Sequence, residues 1–129
     1  MSDDVLSDLT HDNDREPKRF LPEQLDRVPD PILVADNDRK YVDVNRAAEK
    51  LLGGKRERII GRSIDDFFSE ADSQTIPDVW TKFIANGALL GTCKLKGGSG
   101  TIFAYRSRAN FKPGLHIAVL RRIGSDPPR

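Results

Sequence analysis

The sequence predicts an α+β domain, a five-stranded antiparallel sheet with short helices packed on one face. Three observations predict it. Short apolar and alternating stretches typical of strands come as a pair before residue 46 and as a set of three after residue 87. The segment between them carries its apolar residues at helical spacing. Turn-forming glycine, proline, asparagine and aspartate separate the segments, and strands segregated from helices in this way are the mark of the α+β class. The 129 residues, 37 % apolar and 7 % aromatic, supply one domain with one modest core.

Residues 1–19 read as a disordered acidic leader. Asp3, Asp4, Asp8, Asp12, Asp14 and Glu16 crowd a stretch with few apolar residues, so burial cannot offset the entropy of ordering it. The domain itself is expected over 20–124. Phe20, Leu21, Leu25 and Val28 form one side of a cap helix over 20–28, opened by Pro22 and ended by Pro29 and Pro31. Ile32 to Ala35 is a compact apolar run closed by Asp36-Asn37-Asp38, a buried strand and its turn, and Tyr41 to Asn45 is its hairpin partner.

Asn45 then caps a helix carrying Ala47, Ala48, Leu51 and Leu52, which Gly53-Gly54 stops. Residues 56–60 make another short turn ended by Gly61, and Ser63 caps a third carrying Ile64, Phe67 and Phe68. The clearest helix has Ile76, Trp80, Phe83 and Ile84 on one face, with Asn86-Gly87 closing it. Strands follow over 88–96, 101–111 and 115–123, joined by turns at 97–100 and 112–114, and 125–129 reads as a frayed tail. On the second of these, Phe103, Tyr105, Ser107 and Ala109 share one face and Arg106 and Arg108 the other.

Composition excludes several functions. The charged fraction is 32 % with a net charge of +1, which gives no general attraction to nucleic acid or an anionic membrane surface. No apolar run approaches the roughly 20 residues that span a bilayer. One cysteine, Cys93, forbids a disulfide framework, and His11 and His116 are too few for a zinc centre. A cytoplasmic domain is the expectation. No enzyme is expected either, because the chain offers no nucleophile, base and orienting group together. Asp65 and Asp66 stand in a first helical turn, where carboxylates suit the macrodipole. The glycine-rich stretch 97–100 joins two strands instead of leading into a helix, so it reads as a hairpin turn. The run Lys55-Arg56-Glu57-Arg58 reads as a solvated mixed-charge turn.

Taken in order, these residues resemble the PAS family. Pro31 to Asp36, a polar turn, Tyr41 to Asn45, Ala47-Ala48 and Leu51-Leu52-Gly53 resemble the front half of such a domain. Ile59 to Ser63, then Ile64 and Phe67, continue the pattern, and Asn110-Phe111, Pro113-Gly114 and Val119-Leu120-Arg121 resemble its closing hairpin. The similarity runs from Leu25 to Ile123. It implies a sensory or interaction module in which the sheet curls around the helices over an apolar pocket holding flavin, haem, a small carboxylate or nothing.

Photoadduct flavin is excluded by Ile64. The light-oxygen-voltage motif Gly-Arg-Asn-Cys-Arg-Phe-Leu-Gln aligns with residues 61–68, where Ile64 takes the cysteine position, Asp65 the arginine and Phe68 the glutamine. Haem is disfavoured because the long helix, residues 77–86, holds no histidine, and His116 reads as a sheet histidine satisfied by a hydrogen bond. Cys93 reads as a small buried hydrophobe. A small organic ligand stays open, with a lining assigned from alternation and helical spacing to Leu33, Val44, Ile60, Ile64, Phe67, Trp80, Phe83, Leu90, Phe103, Tyr105, Ile117 and Val119. Thr92, Tyr105, Ser107 and His116 are the polar candidates. The alternative is that these side chains fill the interior, leaving a ligand-free interaction and dimerisation domain.

The resemblance also implies a homodimer, here through Phe20, Leu21, Leu25 and Val28, although the same residues could instead cap their own sheet. The expected partner is an effector such as a kinase or a transcription regulator, attached or separate, with no direct nucleic-acid contact and no membrane. The family often ends its last strand in Asp-Ile-Thr, whereas this chain reads Arg122-Ile123-Gly124 and carries no amphipathic linker through Pro128. The usual output coupling is thereby weakened, and the chain is expected to be a segment of a larger regulator or a module that binds its partner separately.

Overall fold

A computed structural model describes residues 19–96 and 100–125, so the expectations for residues 1–18, 97–99 and 126–129 lie outside the described residues. Strands β1 (Ile32–Asp36) and β2 (Tyr41–Val44) are followed by helices α1 (Arg46–Leu52) and α2 (Arg56–Ile59), a 3₁₀ turn (Ile64–Asp66) and the long helix α3 (Glu70–Asn86). Strands β3 (Ala88–Cys93), β4 (Thr101–Lys112) and β5 (Leu115–Ser125) complete the chain. The sheet is antiparallel throughout in the order β2-β1-β5-β4-β3, which makes the first and last strands central neighbours. The fold is the five-stranded α+β sheet that the sequence predicts.

Local chemistry sets most boundaries. The Asn45 Oδ1 accepts from the Ala48 amide at 3.0 Å, and Gly53 ends α1 with φ of 81°. Ser63 Oγ accepts from the Asp65 amide at 3.1 Å. Several bounds differ from expectation, among them the end of β5, which runs on through Ser125, a residue assigned to the tail and here paired with Thr101. Helix α3 starts at Glu70, capped by Ser69 Oγ on the Asp72 amide, and runs through Pro77. The proline removes one backbone donor, yet Ser73 Oγ donates to the Asp65 carbonyl at 2.8 Å and fixes the preceding turn. Strand β3 stops at Cys93, because Lys94 and Lys96 bond instead to Ser69, Asp72 and Phe67 in the helical layer. The expected helix over 20–28 is a 3₁₀ run of Glu23–Arg27, and Arg19, assigned to the leader, is ion-paired to Asp43 at 3.0 Å.

Both faces of β1 are covered, which explains its unbroken apolar run. On the helical side Leu33 and Ala35 join Tyr41, Val44, Ala48 and Ile59 in the main core. On the opposite side Ile32 and Val34 form a second cluster with Leu21, supported by Leu25, Val28, Phe111 and Val119. The N-terminal segment therefore packs on its own sheet. Asn110 at φ of 53° sits in a bulge between β4 and β5, and the slip in alternation turns Phe111 to that outer cluster.

A buried ion pair joins the layers. Asp43 is fully buried and accepts from Arg56 Nε at 2.7 Å and from the Phe20 and Leu21 amides at 2.6 and 2.7 Å. Burial pushes its carboxyl upward, but the hydrogen bonds from Arg56 and the two amides outweigh it and hold the group below the usual carboxylate range. Arg56 is thus an interior cation, which corrects its reading as part of a solvated turn.

Candidate functional site

Between the sheet and α3 the interior is not filled. A cavity of about 140 Å³ remains there. Its floor is the sheet, with Leu33 and Ala35 from β1, His116, Ala118 and Leu120 from β5, and Tyr105 and Ser107 from β4. Its roof is α3, which contributes Asp72, Thr75, Ile76, Val79, Trp80 and Phe83. Leu89 and Cys93 of β3 form one wall, and Leu52, Ile64 and Phe68 another. Exposed Thr75 and Thr92 belong to the lining, so the space reaches solvent beside α3 and β3.

Residue size explains why space is left. Trp80, Phe83 and His116 pack edge to face on one another, with ring centroids 5.3 to 5.9 Å apart, which concentrates their bulk in one cluster. Tyr105 leans across the strand pair onto Gly91, where a Cβ would lie 2.5 Å from its hydroxyl oxygen. Ala35 and Ala118 leave the middle of the floor low.

Six of the twelve predicted lining residues border the cavity, Leu33, Ile64, Trp80, Phe83, Tyr105 and Ile117, although Ile117 packs in the outer cluster of the sheet. All four polar candidates, Thr92, Tyr105, Ser107 and His116, line it as well. The other six do not. Val44 and Phe103 are buried in packed core, and Phe67 packs against that core with its ring 5.6 Å from Tyr41. Ile59, not Ile60, is the buried apolar residue here. Leu90 is 73 % exposed and points from the outer face of β3, while Val119 belongs to the outer cluster. Alternation points one residue out of phase on β3 and on β5: Leu89 and Cys93 are the inward pair of β3, and His116, Ala118 and Leu120 the inward set of β5. Asp72 and Thr75 lie in the early turns of α3, which lack an apolar repeat and give no sequence signal, and Val79 lines the cavity beside the repeat of Ile76, Trp80 and Phe83.

His116, Cys93 and the tyrosines of the site are held neutral. The His116 Nδ1 accepts from the Asn110 amide at 2.9 Å, and its Nε2 lies 2.7 Å from Asn37 Oδ1, an amide oxygen that can only accept. The ring is therefore the neutral Nε2–H tautomer. Burial lowers its pKa from the ordinary 6.5, against a smaller pull upward from Asp36. Burial and then Asp72 push the Cys93 thiol up to about 12. Burial, Cys93 and Asp72 raise Tyr105 likewise, and burial raises Tyr41. Asp72 itself accepts from the Lys94 amide at 2.8 Å, tying α3 to the end of β3. Among the described residues no group of three histidines, cysteines or carboxylates could hold a metal, and no helix is long and apolar enough to cross a membrane.

Comparison with known proteins agrees with this fold. The family model described as PAS fold matches residues 25–109. The PAS domain of a protein from Colwellia psychrerythraea superposes with a TM-score of 0.68 at 22 % identity, covering 79 % of this chain and 92 % of that one. The PAS domain of the RpfR quorum-sensing receptor from Cronobacter turicensis, in complex with BDSF, gives 0.62 at 23 % identity over 74 % and 95 %. The PAS domain of a LuxR-family transcriptional regulator from Burkholderia thailandensis, in complex with ethanol, gives 0.60 at 19 % identity over 74 % and 90 %. A search of curated proteins gave no match.

Proposed function

Because this chain belongs to the PAS fold family, we propose that it is a sensory module of a signal-transduction protein that binds a small organic molecule between its sheet and α3. The observation that carries the reading is the cavity of about 140 Å³, walled by apolar side chains with a few fixed polar groups. Two similar domains, the quorum-sensing receptor and the LuxR-family regulator, hold BDSF and ethanol respectively, which supports a ligand role for a PAS domain of this shape. The output is taken by an effector such as a kinase or transcription regulator in the cytoplasm. A ligand acts by binding one conformational state more tightly than another.

The test is native mass spectrometry of the purified full chain, together with its melting temperature across a small-molecule library. A bound small molecule, or a ligand that raises the melting temperature, supports the reading. A bare chain whose melting temperature ignores the library overturns it and favours a pure interaction domain.

The proposal includes homodimerisation. Leu21 is buried against its own sheet, so the surface available is half-buried Phe20, Leu25 and Val28, with Leu90 and Ile123 exposed at 73 and 56 % elsewhere on the sheet. Light scattering of Leu25→Asp tests it. Loss of a dimer mass is expected, and an unchanged mass contradicts this interface.

A further inference from the structure

We infer that the cavity selects its ligand by charge, taking a small neutral molecule that is apolar over most of its surface and excluding the matching carboxylate. The inference rests on the reading of the cavity as a ligand site and names the chemical class that fits it. Size sets the first limit. A cavity of roughly 150 Å³ holds benzene, so about 140 Å³ suits a ligand of around six to nine heavy atoms.

Charge sets the second. Among the described residues no lysine or arginine lines the cavity, and the one ionisable carboxylate that does is Asp72. An anion placed in this space would lose its water and meet a like charge with no cation to pair with. Hydrogen-bond capacity sets the third. The Asn110 amide and the Asn37 oxygen occupy both ring nitrogens of His116, so the histidine has no donor to offer an anion. Thr75 Oγ1 already donates to the Asp72 carbonyl at 2.9 Å. What remains is the hydroxyl pair of Tyr105 and Ser107, two residues apart on the inward face of β4, which suits one hydroxyl or carbonyl on a ligand. The protein's own acids at this place behave accordingly, since Asp72 helps to suppress ionisation of both Cys93 and Tyr105.

The test titrates the full chain at pH 8 with benzyl alcohol and with benzoate, two probes of nearly equal shape, by calorimetry and by thermal shift. The alcohol is expected to bind roughly tenfold or more tightly than benzoate. Asp72→Asn keeps an oxygen for the Lys94 amide and removes the charge, and it is expected to raise benzoate affinity relative to that of the alcohol about three- to tenfold. Ala118→Leu fills the floor and is expected to abolish the alcohol response, with Leu89→Phe as a second filling variant should the first fold poorly. Benzoate binding as tightly as the alcohol overturns the charge selection alone. Failure of both probes overturns the ligand reading of the cavity, and the charge selection with it. An alcohol response that survives both filling variants places binding elsewhere and overturns both.

Discussion

Asn45 closes four backbone groups with one carboxamide. Its Oδ1 accepts from the Ile32 and Ala48 amides, and its Nδ2 donates to the Leu25 and Asp30 carbonyls at 2.9 and 3.0 Å. Asn45→Ala is expected to cost about 2–4 kcal/mol, because a cap is lost and buried partners are left unpaired; urea unfolding measures it. The cap was legible because it acts three residues away. The link to Leu25 was not, since nothing local announces it. The same holds for Asp43 and Arg56, thirteen residues apart, the latter hidden in a charge run that reads as solvated. Arg56→Ala is expected to destabilise by about 2–4 kcal/mol, with Arg19 and the two amides limiting the damage. Acid stability follows from the pKa directions. The Asp43 contribution is complete above its unfolded value of 3.8 and is lost as pH falls through its lowered folded value. His116 is also lowered, so its contribution is complete above 6.5 and declines as pH falls below that, when the unfolded chain takes up the proton first. Melts between pH 8 and 5 are expected to lose stability on that limb, and His116→Phe to flatten it.

At the scale of elements, periodicity located the strands and helices, and its failures have local causes. Helix α3 was visible from Ile76 onward because Trp80 and Phe83 repeat toward the sheet, whereas residues 70–75 are polar and are held by Ser69 and Ser73. Pro77→Ala restores a backbone donor within that helix and is expected to stabilise the fold by about 1–3 kcal/mol in the same urea assay. On β3, the adjacent leucines Leu89 and Leu90 make the phase ambiguous, and burial decides for Leu89. Gly91 gives the sharper handle. Gly91→Ala would drive a methyl into the Tyr105 ring, so Tyr105 must rotate away from its place at the cavity. Weaker binding of benzyl alcohol is expected, with circular dichroism showing the sheet retained.

At the scale of the whole molecule, the layer arrangement followed from the order of segments, but the strand order and the cavity did not. Empty volume is set by how Trp80, Phe83 and His116 cluster and by which floor residues are small, and no single stretch of sequence encodes it. The second core had a partial sign in the sequence, the continuous apolar run of β1, which only a sheet covered on both faces requires. The most direct test compares melting temperatures of the full chain and of Ala118→Leu across one library of small neutral molecules. At a hundredfold excess over Kd, a ligand contributes about 2.7 kcal/mol, which is several degrees for a domain of this size. The account predicts library members that raise the melting temperature of the native chain and leave the filled variant unmoved. A native chain that responds to none of them, or a filled variant that responds equally, would contradict it.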